Sequence, residues 1–123
     1  MKNRYHLTGL LTALAILLTG CVQTAPPLYY WGNYINSSLD YGKNGHDKAV
    51  LEKHLAELEK IISESEQKKQ RVAPGIYAEY GQLLYETRKT QEAKRYFILE
   101  KTTYPESTQF IDDVMKKLYG DQA

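Results

Sequence analysis

The sequence predicts an all-α protein, and three observations predict it. Leu51, Leu55, Leu58 and Ile62 recur at spacings of four, three and four, the apolar stripe of an amphipathic helix. Phe110, Ile111, Val114, Met115 and Leu118 repeat that pattern near the C-terminus. Between them, Gly81, Ala93 and Phe97 have the spacing of close-packing residues on two adjoining helices, with Pro105 placed to stop the second. The expected architecture is a small stack of about five helices.

The chain opens on an element outside that stack. Lys2 and Arg4 form a basic head, an apolar run extends from Leu7 to Leu18, and Leu18-Thr19-Gly20-Cys21 closes it. This order is a secretory signal, too short for a permanent transmembrane helix. Cys21 is the chain's single cysteine and closes no intramolecular disulfide. The four residues resemble a bacterial lipobox. The resemblance implies cleavage between Gly20 and Cys21, a diacylglyceryl group on the Cys21 thiol and acylation of the new amino terminus. A single acyl chain binds membranes only marginally, whereas several anchor stably. The residue after the cysteine is Val22 rather than Asp, which in the resemblance implies the inner leaflet of the outer membrane, facing the periplasm.

Three segments follow from this reading: a signal peptide over 1–20, the lipidated cysteine and a Pro-rich tether over 21–28, and a helical domain over 29–120. Removing residues 1–20 of the 123 leaves 103, enough for one small domain. The formal net charge of +1 falls to −1 once Lys2 and Arg4 are gone. That near balance argues against nucleic acid, which calls for a basic surface. No Gly-rich phosphate cradle suggests a nucleotide. Pro26 and Pro27 bias the tether toward an extended path.

The first helix is expected around Trp31, Tyr34 or Ile35, and Leu39, with one apolar face, ended by turn residues from Gly42 to Gly45. Gly32 places its start no earlier than Asn33. Asp47 then reads as the N-cap of a long amphipathic helix that carries Leu51, Leu55, Leu58 and Ile62, widened by Val50 and Ile61, and ends near Lys68 or Lys69. Its stripe lasts barely two heptads, short of a coiled coil. Pro74-Gly75 breaks the chain before the next helix. In the last helix Ser107 is the expected N-cap and Gly120 the stop.

From Tyr77 the residues run Tyr77-x2-Tyr80-Gly81-x2-Leu84, then Ala93-x3-Phe97, then Pro105, and this resembles the tetratricopeptide repeat signature. The match covers residues 74–107. It departs in having tyrosines at 77 and 80 and Glu100 where a small residue is usual. A repeat hairpin cannot bury both faces alone, so residues 30–69 are expected to form a diverged hairpin stacked on it, and residues 107–119 a cap. In the resemblance the inner surface is lined by first helices. That points to Ala78, Glu79, Gln82, Tyr85 and Glu86 as partner-binding residues, with Trp31 as a second aromatic anchor.

Chemistry is sparse. There is no G-x-S-x-G elbow, no H-E-x-x-H and no second cysteine. His46 reads as a loop residue and His54 as a residue at the margin of the apolar stripe, so neither a metal nor a cofactor is expected. Glu79 and Glu86 stand seven apart, about 10 Å along a helix and just beyond the spacing of inverting glycosidases. Ten of the eleven tyrosines lie beyond the signal, where their apolar bodies and polar tips suit the core and core edge of a small helical domain.

The lipobox, the tether, the Leu28-Tyr29-Tyr30-Trp31-Gly32-Asn33-Tyr34 segment and the Gly81, Ala93, Phe97, Pro105 pattern together resemble a family of small proteobacterial lipoproteins of unknown function. Its members are typically encoded near a lipoprotein similar to the curli secretion channel protein and another uncharacterised lipoprotein. The resemblance implies association with an envelope complex and brings no catalytic activity. The expectation is an outer-membrane lipoprotein that acts as a periplasmic protein–protein adaptor for other envelope proteins, in a secretion or surface-assembly complex. The alternative is a cell-wall factor that binds or regulates peptidoglycan or its enzymes.

Overall fold

The computed structural model describes residues 25–120; Cys21 and the signal lie outside them. Within these residues the chain forms five α-helices and no strand: α1 (Tyr34–Asn44), α2 (Lys48–Gln67), α3 (Ile76–Glu86), α4 (Thr90–Thr103) and α5 (Thr108–Tyr119). A 3₁₀ turn at Pro105–Ser107 joins the last two. Each helix packs on its neighbour in sequence. None is long and apolar enough to cross a membrane.

The helix ends follow local rules. Asp47 Oδ1 accepts from the Ala49 N–H at 2.8 Å, the cap expected for α2. At the far end, Lys69 takes a left-handed φ of 54°, its N–H donates to Glu66 O, and the Gln70 N–H donates to Ser65 O. This is a Schellman closure with lysine in the place usually held by glycine. α3 ends the same way on Arg88, φ 70°, with Arg88 N–H to Tyr85 O and Lys89 N–H to Leu84 O. Gly120, at φ 75°, stops α5 as expected.

Three local expectations are corrected. α1 passes through Gly42 and ends at Asn44, because a glycine weakens a helix by about 1 kcal/mol without breaking it. The inner face of α1 is Tyr34, Ser37 and Tyr41, while Ile35 and Leu39 point outward, 70% and 56% exposed. Ser107 does not cap α5 with its side chain; it sits in the 3₁₀ turn, and its Oγ donates to Tyr104 O.

The core sits where α2, α3, α4 and α5 meet, around Leu58, Ile61, Ile76, Leu84, Phe97 and Ile111. α3 and α4 cross closely. A Cβ on Gly81 would lie 3.2 Å from both Ala93 O and Phe97 Cε1, so the helices approach as closely as the Gly81, Ala93, Phe97 spacing predicts. Tyr77 and Tyr80 are buried and pack on Tyr96, the Tyr80–Tyr96 pair edge-to-face with centroids 4.6 Å apart. Glu100, the other departure from the repeat signature, is 3% exposed. Its Oε1 accepts from the Gly75 N–H at 2.9 Å. The carboxylate therefore caps the N-terminus of α3, where the helix dipole favours negative charge.

Candidate functional site

Two features meet on α3: a cleft toward α5 and a buried polar tie toward α1 and α2. The cleft encloses about 320 Å³ and is lined by Gly75, Ala78, Glu79, Gln82, Phe97, Phe110 and Val114. Its floor is apolar: the small residues Gly75 and Ala78 stand over the Phe97 ring, which is itself buried at 1% exposure. Phe110 forms the rim and is 64% exposed. That exposure has a geometric origin. The α5 stripe, broadened by adjacent pairs at 110–111 and 114–115, is wider than the seam α4 covers, so Ile111 and Met115 are buried and Phe110 is left outside.

The structure sorts the residues expected to contact a partner. Ala78, Glu79 and Gln82 line the cleft. Tyr85 does not: its hydroxyl donates to Leu118 O at 2.8 Å and its ring meets Tyr119 edge-on at 5.3 Å, so it latches α3 to the end of α5. Glu86 is exposed, accepts from Gln82 Nε2 at 3.0 Å and lies close enough to Tyr41 to help burial raise that phenol's pKa. Trp31 belongs to a different surface, lining clefts with Tyr30 and Lys68 and with Ile35 and Asn36.

The polar tie is the feature sequence reasoning placed least well. His54 lies on the inner face of α2, 1% exposed, rather than at the margin of its stripe. Its Nδ1 lies 2.8 Å from Ser37 Oγ on α1 and its Nε2 lies 2.9 Å from Glu79 Oε1 on α3. The Tyr34 hydroxyl donates to Glu79 Oε2 at 2.8 Å, and the Tyr41 ring stacks on the imidazole at 5.0 Å. Both Glu79 oxygens are thus occupied. Burial, then the hydrogen bond to that carboxylate and its charge, push the Tyr34 hydroxyl up to about 12. A signal was present in the sequence: position 54 falls between Leu51 and Leu58 at spacings of three and four, inside the stripe.

A serine, a histidine and a carboxylate in hydrogen-bond sequence invite comparison with nucleophilic catalysis. The surroundings differ from a reactive site. Ser37 is 6% exposed, its own N–H is consumed by Asn33 O, and Tyr41 covers the ring. The serine and the imidazole are both buried, and Glu79 also accepts from Tyr34. What the arrangement does is hold three helices in one register. Among the described residues there is no cluster of histidine, cysteine and carboxylate groups suited to a metal ion.

Residues 28–114 match the model of one domain family, described as a domain of unknown function, DUF4810. No curated protein matches, and no solved structure matches.

Proposed function

We propose, for a chain that belongs to the DUF4810 family over residues 28–114, that it is an outer-membrane lipoprotein whose tetratricopeptide-like domain acts as a periplasmic adaptor, seating an apolar segment of another envelope protein in the α3–α5 cleft. Anchorage rests on the lipobox ending at Cys21, and the outer-membrane address on Val22. The observation that carries the adaptor reading is the apolar cleft beside exposed Phe110. Clefts floored by aromatic and small side chains, with a few polar groups at the edge, suit a side chain presented by a peptide or helix. Gln82 supplies such an edge: its amide lines the cleft and donates to the exposed Glu86. A glycan would call for convergent polar groups, and Glu79 has both oxygens committed; this favours a protein segment over peptidoglycan. No catalytic step is assigned to the Ser37–His54 pair, which is buried inside the fold.

In-cell photo-crosslinking from position 110, with Lys60 on the outer face of α2 as control, tests this reading. A discrete adduct at 110 alone names the partner. Adducts at neither position, or equally at both, overturn the cleft assignment. Phe110→Asp should abolish the capture that wild type shows while leaving helical content unchanged.

A further inference from the structure

The N-terminal edge of the domain carries an apolar surface that no helix covers. Leu28 is 74% exposed, Trp31 43%, Ile35 70% and Leu39 56%. Trp31, Ile35 and Leu39 stand four apart, so they line one side of α1 and the turn that enters it. Trp31 and Ile35 share a shallow cleft with Gly32, Asn33 and Asn36. The turn is fixed by Gly32, whose φ of 48° lets the backbone pass over Glu57 and Ile61, where a Cβ would come within 2.6 Å of Glu57 Oε1. The indole is held between Tyr29 and Tyr34, at 6.2 and 5.6 Å.

We infer that this stripe rests on the bilayer in which the acyl chains of Cys21 are embedded, so that α1 lies along the membrane surface. The inference rests on the lipoprotein reading above and adds the orientation of the domain. Chain length favours this occupant. Leu28 lies seven residues from Cys21 and Trp31 ten, so even a fully extended chain keeps the indole within about 35 Å of the anchor. Once the anchor is inserted, the second contact is intramolecular, at an effective concentration in the millimolar range.

The chemistry of the face agrees. Tryptophan has an apolar body and an N–H donor and settles at the headgroup level, while Ile35 and Leu39 offer purely apolar tips. Asp40 is the sole carboxylate of α1. It is turned aside, accepting from Asn44 Nδ2 at 3.0 Å and facing Lys53 at 3.8 Å. Asn33, Asn36 and Ser38 flank the stripe, and Lys43 continues it four residues beyond Leu39. Beneath the turn, Glu57 Oε1 accepts from the Asn33 N–H at 2.7 Å, so the one carboxylate on α1 and the one under the turn are both engaged by the protein.

Trp31 is the only tryptophan of the chain, so its emission reports this surface directly. The test uses the full acylated protein, purified from membranes and reconstituted into phosphatidylethanolamine–phosphatidylglycerol vesicles. Mass spectrometry of the same sample first reads the acyl chains on Cys21. Their absence sinks the lipoprotein reading and this inference together. With acyl chains present, the expected result is emission shifted to the blue, shielded from acrylamide and quenched by acyl-brominated lipids. The double substitution Ile35→Asp and Leu39→Asp, at two exposed positions, should abolish the bromolipid quenching while circular dichroism and acylation stay unchanged. Indole emission characteristic of water, open to acrylamide and untouched by bromolipid on an acylated protein, overturns the inference alone. So does a blue shift that depends on protein density and ignores bromolipid, which would assign the stripe to a second copy of the chain.

Discussion

Glu100 shows how one side chain can read as a defect in a sequence and as a fastening in a structure. The resemblance to a tetratricopeptide repeat implies a small residue at this position, yet the Glu100 carboxylate reaches across to the N–H of Gly75 and closes the start of α3. Replacing it by alanine removes a helix cap and leaves the Gly75 N–H to solvent, so Glu100→Ala is expected to cost about 1 kcal/mol in urea denaturation. Arg88 is the opposite case. Its side chain is exposed while its backbone takes φ 70°, a conformation glycine adopts without a Cβ penalty. Arg88→Gly is therefore expected to stabilise the protein by about 1 kcal/mol, read from the same denaturation midpoint.

At the scale of elements, two contacts decide how the helices lie. The first is the Gly81 crossing of α3 over α4. Gly81→Val forces two γ-carbons into space already held by Ala93 O and Phe97, and overpacking of this kind costs about 1–3 kcal/mol; a higher urea midpoint in the variant would disprove the close approach. The second is the polar tie of Ser37, His54 and Glu79 across α1, α2 and α3. His54→Ala strands the buried Ser37 hydroxyl and one oxygen of the part-buried Glu79, and should cost more than Ser37→Ala, which removes only the hydroxyl at one end. A double-mutant cycle between these positions should give a non-zero coupling energy, since the two side chains share one hydrogen bond.

Over the whole molecule, tyrosine sets the alkaline limit. Tyr34 and Tyr104 are pushed up to about 12, each by burial first; the Glu79 hydrogen bond acts next on Tyr34 and contact with Tyr29 next on Tyr104. Tyr41, Tyr77, Tyr80, Tyr96 and Tyr119 are raised in the same direction, again chiefly by burial. A phenol whose folded pKa lies above its unfolded value of 10 adds stability that is fully present below pH 10. That stability is lost as pH climbs through the folded value. Stability should hold steady up to about pH 10 and fall steeply toward about pH 12, with tyrosinate absorbance and loss of helical signal rising together. Tyrosinate that titrates fully while the helices persist would contradict the burial of these rings.

The sequence by itself determined the helices, most of their ends and the α3–α4 crossing, because these depend on neighbours three to five residues apart or on a spacing fixed by one short turn. Leu58 with Ile62, the Asp47 cap, the Gly120 stop and Gly81 against Phe97 were all legible for that reason. The tertiary structure alone decided which face of α1 turns inward. It chose Tyr34, Ser37 and Tyr41 over Ile35 and Leu39 because His54 and Glu79, 17 and 45 residues away from their partners, needed hydrogen bonds more than two aliphatic tips needed cover. Of the residues expected to contact a partner, it gathered Ala78, Glu79 and Gln82 beside Phe110 of α5 and left Tyr85 and Glu86 outside that cleft. The hydroxyl of Tyr85 had found a carbonyl 33 residues further on, and hydrogen bonds across such separations leave no periodic trace in the chain.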